Sequence, residues 1–146
     1  HKAILDFLSE EMQRSERNEQ ALSIILLDID DFKRINDQFG HQVGDEVLIS
    51  LSKIIKHSLR SIDRVGRYGG EEFLILLPNT NLNAGRHYAL RLQSLIRNYK
   101  LPNEENLTLS GGLAEYTGES IDELIKQADK LLYQAKKSGK DQIISQ

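Results

Sequence analysis

The sequence predicts a mixed α/β domain, a mixed sheet with helices packed on its faces. Three observations point there. Some segments carry apolar residues at helical spacing and others are short apolar runs. The two kinds alternate along the chain. One Gly-Gly pair sits between two strand-like runs and marks a hairpin. The 146 residues make one ordinary domain, with no repeat, low-complexity tract or Pro/Ser-rich linker to divide them.

Ile4, Leu5, Leu8 and Met12 keep helical spacing, which predicts a first helix over 2–17. Ala21 to Asp28 is an apolar run ending in an acid, read as a buried strand. A short helix over 31–38 stops at Gly40, and Val43, Val47, Leu48, Leu51, Ile54 and Ile55 give another over 43–59. Ile62 to Arg67 and Glu72 to Leu77 are strands joined through Tyr68-Gly69-Gly70-Glu71. Glycine tolerates φ > 0, which suits a tight hairpin turn. Pro78 closes the second of these strands.

Ala89, Leu92, Leu95, Ile96 and Tyr99 predict a helix over 81–98. Leu107 to Tyr116 reads as a strand weakened by Gly111 and Gly112. Ser120 and Glu123 form a capping box before the stripe Ile121, Leu124, Ile125, Ala128, Leu131, Leu132 and Ala135. Gly139 stands where a C-terminal cap belongs, and Gln142 to Ile144 adds an edge strand.

Composition narrows the function. Hydrophobic residues at 39% are too many for a disordered chain. The longest apolar runs, Ile24 to Leu27 and Phe73 to Leu77, fall far short of the roughly 18–20 residues of a membrane span. No direct membrane contact is expected, and no secretory pattern is present. The absence of cysteine excludes disulfides, thiolate zinc sites and cysteine nucleophiles, and fits a cytoplasmic setting. A net charge of −3 without a basic stripe argues against a nucleic-acid partner. The chain starts at His1 rather than Met, so it reads as a piece of a longer protein.

Two constellations carry the chemistry. In Asp28-Ile29-Asp30-Asp31-Phe32, acids crowd the end of a buried strand, where repulsion and desolvation disfavour them. One reading has Asp30 or Asp31 capping the next helix with the other acids solvated. The other has Asp28 pointing at a hard cation, since magnesium takes one or two protein carboxylates plus phosphates. In Arg67-Tyr68-Gly69-Gly70-Glu71-Glu72-Phe73, paired acids occupy a hairpin that Asn-Gly would satisfy. The glycines allow close approach to a ligand. If that hairpin pairs beside the Asp28 strand, Asp28 and Glu71 can share a metal; otherwise it is a solvated acidic turn.

These residues resemble the GGDEF family, the diguanylate cyclases. Gly69-Gly70-Glu71-Glu72-Phe73 is the GGEEF variant of its signature. Asp28 to Asp37 resembles D-x-D-x-F-K-x-x-N-D, Phe39 to Asp45 resembles F-G-H-x-x-G-D, and Ala128 to Gly139 resembles A-D-x-A-L-Y-x-A-K-x-x-G. The resemblance implies a five-stranded, mostly antiparallel sheet surrounded by helices, related to the palm of nucleotidyl cyclases and polymerases. It implies condensation of two GTP into cyclic di-GMP with loss of two pyrophosphates, by a homodimer, downstream of a sensory or regulatory domain of the same chain.

Residue roles follow from matching positions. The resemblance assigns Asp28, the Ile29 carbonyl and Glu71 to magnesium or manganese, and Glu71 or Glu72 to deprotonation of the 3′-hydroxyl. Asn36 and Asp45 would read guanine. Phe32, Gly70, Lys33, Lys136 and Lys140 would contact the nucleotide, the lysines at its phosphates beside a helix start. Lys136, Lys137 and Lys140 also read as a basic helix end complementing the macrodipole. Arg60-Ser61-Ile62-Asp63 resembles the family's inhibitory RxxD motif for cyclic di-GMP, with Arg91 as a secondary arginine; the plainer reading is a surface ion pair. His41 would shape a turn near the nucleotide, while His1, His57 and His87 read as surface residues.

Three departures stand out. The family's LTGLPNR-like opening is missing, which predicts truncation at the N-terminal edge. Lys140 replaces an arginine, and Gly111 replaces a β-branched residue, predicting a bulge or local softness. The competing function is a catalytically silent module binding GTP or cyclic di-GMP; intact acids and glycines weigh against it.

Overall fold

A computed structural model describes residues 1–146. Its elements are α1 (Lys2–Asn18), β1 (Leu22–Ile29), α2 (Phe32–Phe39), α3 (His41–Ser58), β2 (Arg64–Arg67), β3 (Glu72–Pro78), α4 (Leu82–Arg97), β4 (Leu109–Glu115), α5 (Ile121–Lys137) and β5 (Gln142–Ser145). Each helix and strand read from the sequence is present, with small shifts at the ends. No helix is long and apolar enough to cross a membrane.

The strands form one sheet in the order β2-β3-β1-β4-β5. Only the β4–β5 pair is parallel, with α5 as the crossover such a pair needs. Central β1 has a hydrogen-bonded neighbour on each edge and helices over each face. Ile24, Ile25, Leu26 and Leu27 are accordingly 0% exposed, which is why that stretch reads as a continuous apolar run.

Alternation along the strands divides the core. Ile25, Leu27 and Ile29 pack with Val47, Leu51 and Ile55 of α3 and Leu92 of α4. Ile24 and Leu26 pack on the other face with Ile4 and Leu8 of α1 and Leu124 and Leu132 of α5. Ser120 caps α5 by accepting the Glu123 N–H at 3.2 Å. Past its last turn Gly139 takes φ +108°, and the Lys140 N–H reaches the Ala135 carbonyl at 3.0 Å.

The bulge expected at Gly111 is absent. Gly111 pairs regularly with Leu27 on one side and Ile143 on the other. A Cβ there would lie 2.7 Å from Leu27 Cδ2, and one on Gly112 would lie 2.0 Å from the Ala128 carbonyl oxygen. The two glycines thus bring α5 and the neighbouring strand close, and α5 carries two of the lysines assigned above or just past its end. We expect Gly112→Ala to lose about 3 kcal/mol because helix backbone, not a flexible side chain, must move. Thermal unfolding should show a midpoint lower by about 10 °C; an unchanged midpoint would mean that α5 retreats freely.

The antiparallel β1–β3 pair has two ends. Asp28 stands opposite Glu72 at one, beside the Gly69-Gly70 turn; Leu22 stands opposite Pro78 at the other. The acids gather at the first end and Arg60 at the second.

Candidate active site

Asp28 is the last polar residue of β1, and its position follows from strand parity. Its side chain shares the face of Leu26, toward α5, where Lys136 Nζ lies 3.7 Å from Oδ2. Its Oδ1 is buried and has no hydrogen-bond partner. Burial raises the Asp28 carboxyl to about 7, against the attraction of Lys136; Glu71 and Glu72 push it up further. The Ile29 N–H meets the Glu71 carbonyl at 3.4 Å. The segments carrying Asp28 and Glu71 therefore converge, although more than forty residues separate them.

Glu72 starts β3 and is half-buried. Burial raises its pKa, and Asp129 and Glu71 add to the effect while Lys136 opposes it. It lines a cavity of about 410 Å³ with Tyr68 and Asp129. Glu72 stands directly opposite Asp28 across the β1–β3 pair, and Glu71 is the residue before it. The intervening turn is not built as expected. Neither Gly69 nor Gly70 adopts positive φ; the left-handed glycines are Gly40, Gly118 and Gly139. A Cβ on Gly69 would meet Glu72 Oε1 at 2.6 Å, whereas one on Gly70 would meet nothing within 4 Å. A side chain at Gly69 would displace the Glu72 carboxylate, while the space over Gly70 is open and its backbone can be approached.

Asp30 does not cap α2. It is 4% exposed and accepts four hydrogen bonds: from Thr108 Oγ1 at 2.7 Å, Ser110 Oγ at 2.6 Å, Lys136 Nζ at 2.9 Å and the Asp141 N–H at 2.9 Å. Burial alone would raise its pKa, but these donors together lower it. Asp30 thereby fixes Lys136, which also donates to the Ile29 carbonyl at 3.3 Å. The sequence signals this clamp only through Thr108 and Ser110, polar residues flanking Leu109 at the start of β4.

Asp31 occupies the N-cap position of α2 with φ 55° but makes no side-chain cap bond. Its carboxylate instead pairs with Lys140 at 2.6 Å, and that contact raises the Lys140 pKa. Phe32 packs partly on the core, and Lys33 is exposed in the first turn of α2. A Cβ on Gly44 would come 1.8 Å from Asn36 Oδ1, so the Asn36 amide rests directly on the α3 backbone. Asp45 follows Gly44 in α3 and is exposed. His41 opens α3. No three His, Cys, Asp or Glu side chains converge as a metal cluster. The oxygens at hand are two carboxylates and one carbonyl.

Arg60 and Asp63 lie elsewhere, past α3. Asp63 is buried and accepts from Arg60 Nε at 3.1 Å and Nη2 at 2.8 Å. The pair lines a cavity of about 210 Å³ with Thr80, Tyr88, His87 and Arg91, so it is more than a solvated surface pair. Arg91 lies over the Tyr88 ring at 5.2 Å, and the Tyr88 hydroxyl bonds Ser58 at 2.7 Å.

The family model for the diguanylate cyclase GGDEF domain matches residues 1–142. The chain belongs to the GGDEF family. This GGDEF domain is 39% identical over 145 residues to the diguanylate cyclase DgcP of Pseudomonas aeruginosa, covering 97% of the domain and 22% of DgcP. It superposes on the active GGEEF domain of a Vibrio cholerae diguanylate cyclase with a TM-score of 0.87, at 35% identity, covering 93% and 89% of the two chains. It superposes on the GGDEF domain of DgcB from Caulobacter crescentus, solved with c-di-GMP, with a TM-score of 0.92 at 29% identity, covering 99% and 88%. The GGDEF domain spans from 22% to 37% of the length of DgcP and the other curated relatives it matches.

Proposed function

We propose that this domain, as two copies facing each other, joins two GTP molecules into cyclic di-GMP. The observation that carries the reading is the buried, unpartnered Asp28 Oδ1, with Glu71 held beside the end of β1 by its carbonyl's bond to the Ile29 N–H. Each 3′-oxygen attacks the α-phosphorus of the other GTP. A phosphorus–oxygen bond forms, the bond to pyrophosphate breaks, and the 3′-hydroxyl proton leaves.

Hard oxygen donors beside an orphaned carboxylate oxygen suit magnesium or manganese. Asp28, Glu71 and the Ile29 carbonyl would hold the ion, which when bound offsets charge on the triphosphate and the attacking oxygen. Glu71 or Glu72 accepts the departing proton. Asn36 and Asp45 offer an amide and a carboxylate to the guanine edge; adenine would leave them mismatched. The open N–H groups at the start of α2, with Lys33, Lys136 and Lys140, receive the phosphates. Phe32 and Gly70 would contact the nucleotide.

The Arg60, Asp63 and Arg91 pocket takes cyclic di-GMP as an inhibitor. An arginine fork suits a phosphate or the guanine Hoogsteen edge. The GGDEF domain of DgcB was solved with this nucleotide, which supports the class of ligand.

The test is the domain fused to a forced dimeriser and incubated with GTP and magnesium. Cyclic di-GMP should form, and Glu71→Ala should cut the rate at least about a hundredfold. Wild-type turnover in Glu71→Ala would refute the assigned role. Tight cyclic di-GMP binding with no turnover in the dimer would make the domain a silent binding module.

A further inference from the structure

We infer that Thr80 is the positioning residue of the Arg60 pocket: its hydroxyl, with the Pro78 carbonyl, fixes the Arg60 guanidinium for an incoming phosphate. This rests on reading that pocket as the cyclic di-GMP site.

A guanidinium has five N–H donors. Nε and Nη2 of Arg60 bind the two Asp63 oxygens. Nη2 also reaches the Pro78 carbonyl and Thr80 Oγ1, each at 2.8 Å. Both Nη1 donors remain free of the chain, and the Arg60 side chain is 51% exposed. One edge of the fork is therefore anchored and the other is presented.

The anchor is rigid. Thr80 is buried, and its hydroxyl donates to the Pro78 carbonyl at 2.9 Å. Its backbone N–H bonds the Ala21 carbonyl at 3.2 Å, and its carbonyl accepts from Ser23 Oγ at 2.8 Å. These contacts tie Thr80 to the start of central β1. Arg60 is thus held to the end of the sheet rather than only to Asp63, three residues away in the same turn. Without the hydroxyl the guanidinium gains freedom that a ligand must remove on binding. Thr80 itself need not touch that ligand.

Calorimetric titration of the chain with cyclic di-GMP tests this. Thr80→Val keeps the branched shape and removes the hydroxyl; the Kd should rise about tenfold. Thr80→Ser keeps the hydroxyl and should bind within about twofold of the parent, since an intact hydrogen bond costs little to retain. Should Thr80→Val not fold, Thr80→Ala serves in its place. Parent-like affinity without the hydroxyl, or equal losses in Thr80→Ser and Thr80→Val, would overturn the role of Thr80. Arg60→Ala separates the two levels of the argument. Affinity lost in Arg60→Ala but kept in Thr80→Val removes only the Thr80 inference. No binding by the parent, or full binding by Arg60→Ala, removes the pocket reading and the inference with it.

Discussion

Asp28→Asn is expected to destroy activity and to stabilise the metal-free fold. Burial, with Glu71 and Glu72, raises the Asp28 carboxyl to about 7. Between its ordinary range and that value, the folded chain holds a proton that the unfolded chain has released. Its contribution to stability therefore falls as pH rises from about 4 to about 7 and stays at its lowest above that. A neutral amide removes this penalty. At pH 8 without divalent ions, the variant should gain on the order of 1 kcal/mol, a few degrees in Tm. The difference should shrink at pH 5, where Asp28 is itself protonated. Turnover in the tethered dimer should fall at least about a thousandfold, because a proposed ion ligand is gone. Thermal unfolding at the two pH values, beside the turnover assay, separates the effects. A variant less stable than its parent at pH 8 would mean that the Lys136 attraction outweighs burial.

Asp30→Asn should do the reverse to stability, although only Ile29 separates the two positions. All four neighbours of Asp30 are donors: two hydroxyls, the Lys136 ammonium and the Asp141 N–H. An amide group would turn its own donors toward at least one of them. It would also leave Lys136 without its closest carboxylate. Removing one partner of such a buried pair costs about 3–5 kcal/mol. The Asp30 pKa is lowered, so its contribution is present above the ordinary carboxylate range and is lost as pH falls through the folded value. Urea unfolding at pH 7 should show the full loss and unfolding near pH 3 a smaller one. Parent-like stability at pH 7 would contradict the clamp.

These two acids mark what the sequence makes legible. The elements could be read because their signals are local: the 3.6-residue stripe of α5, the Ser120 cap and the unbroken run in β1. The convergence of Asp28 and Glu71 came from the family motifs, since no local pattern sets the β1–β3 register. Asp30 was opaque because all four of its partners lie more than seventy residues away. Gly111 and Gly112 read as weak strand residues, yet their neighbours Leu27 and Ala128 fill the space a side chain would need. The Arg60 motif could be read, but its anchor at Thr80 depends on where β3 ends.

The Asp30 clamp bears on how the domain is made. A ribosome releases β1 early, but Thr108, Ser110, Lys136 and Asp141 emerge much later. Until then the nascent chain has an apolar central strand and a carboxylate with no counter-charge. Such distant pairings slow folding and favour one cooperative step near the close of translation. On this account the acidic end of the sheet is assembled last, only after the final strand has left the ribosome.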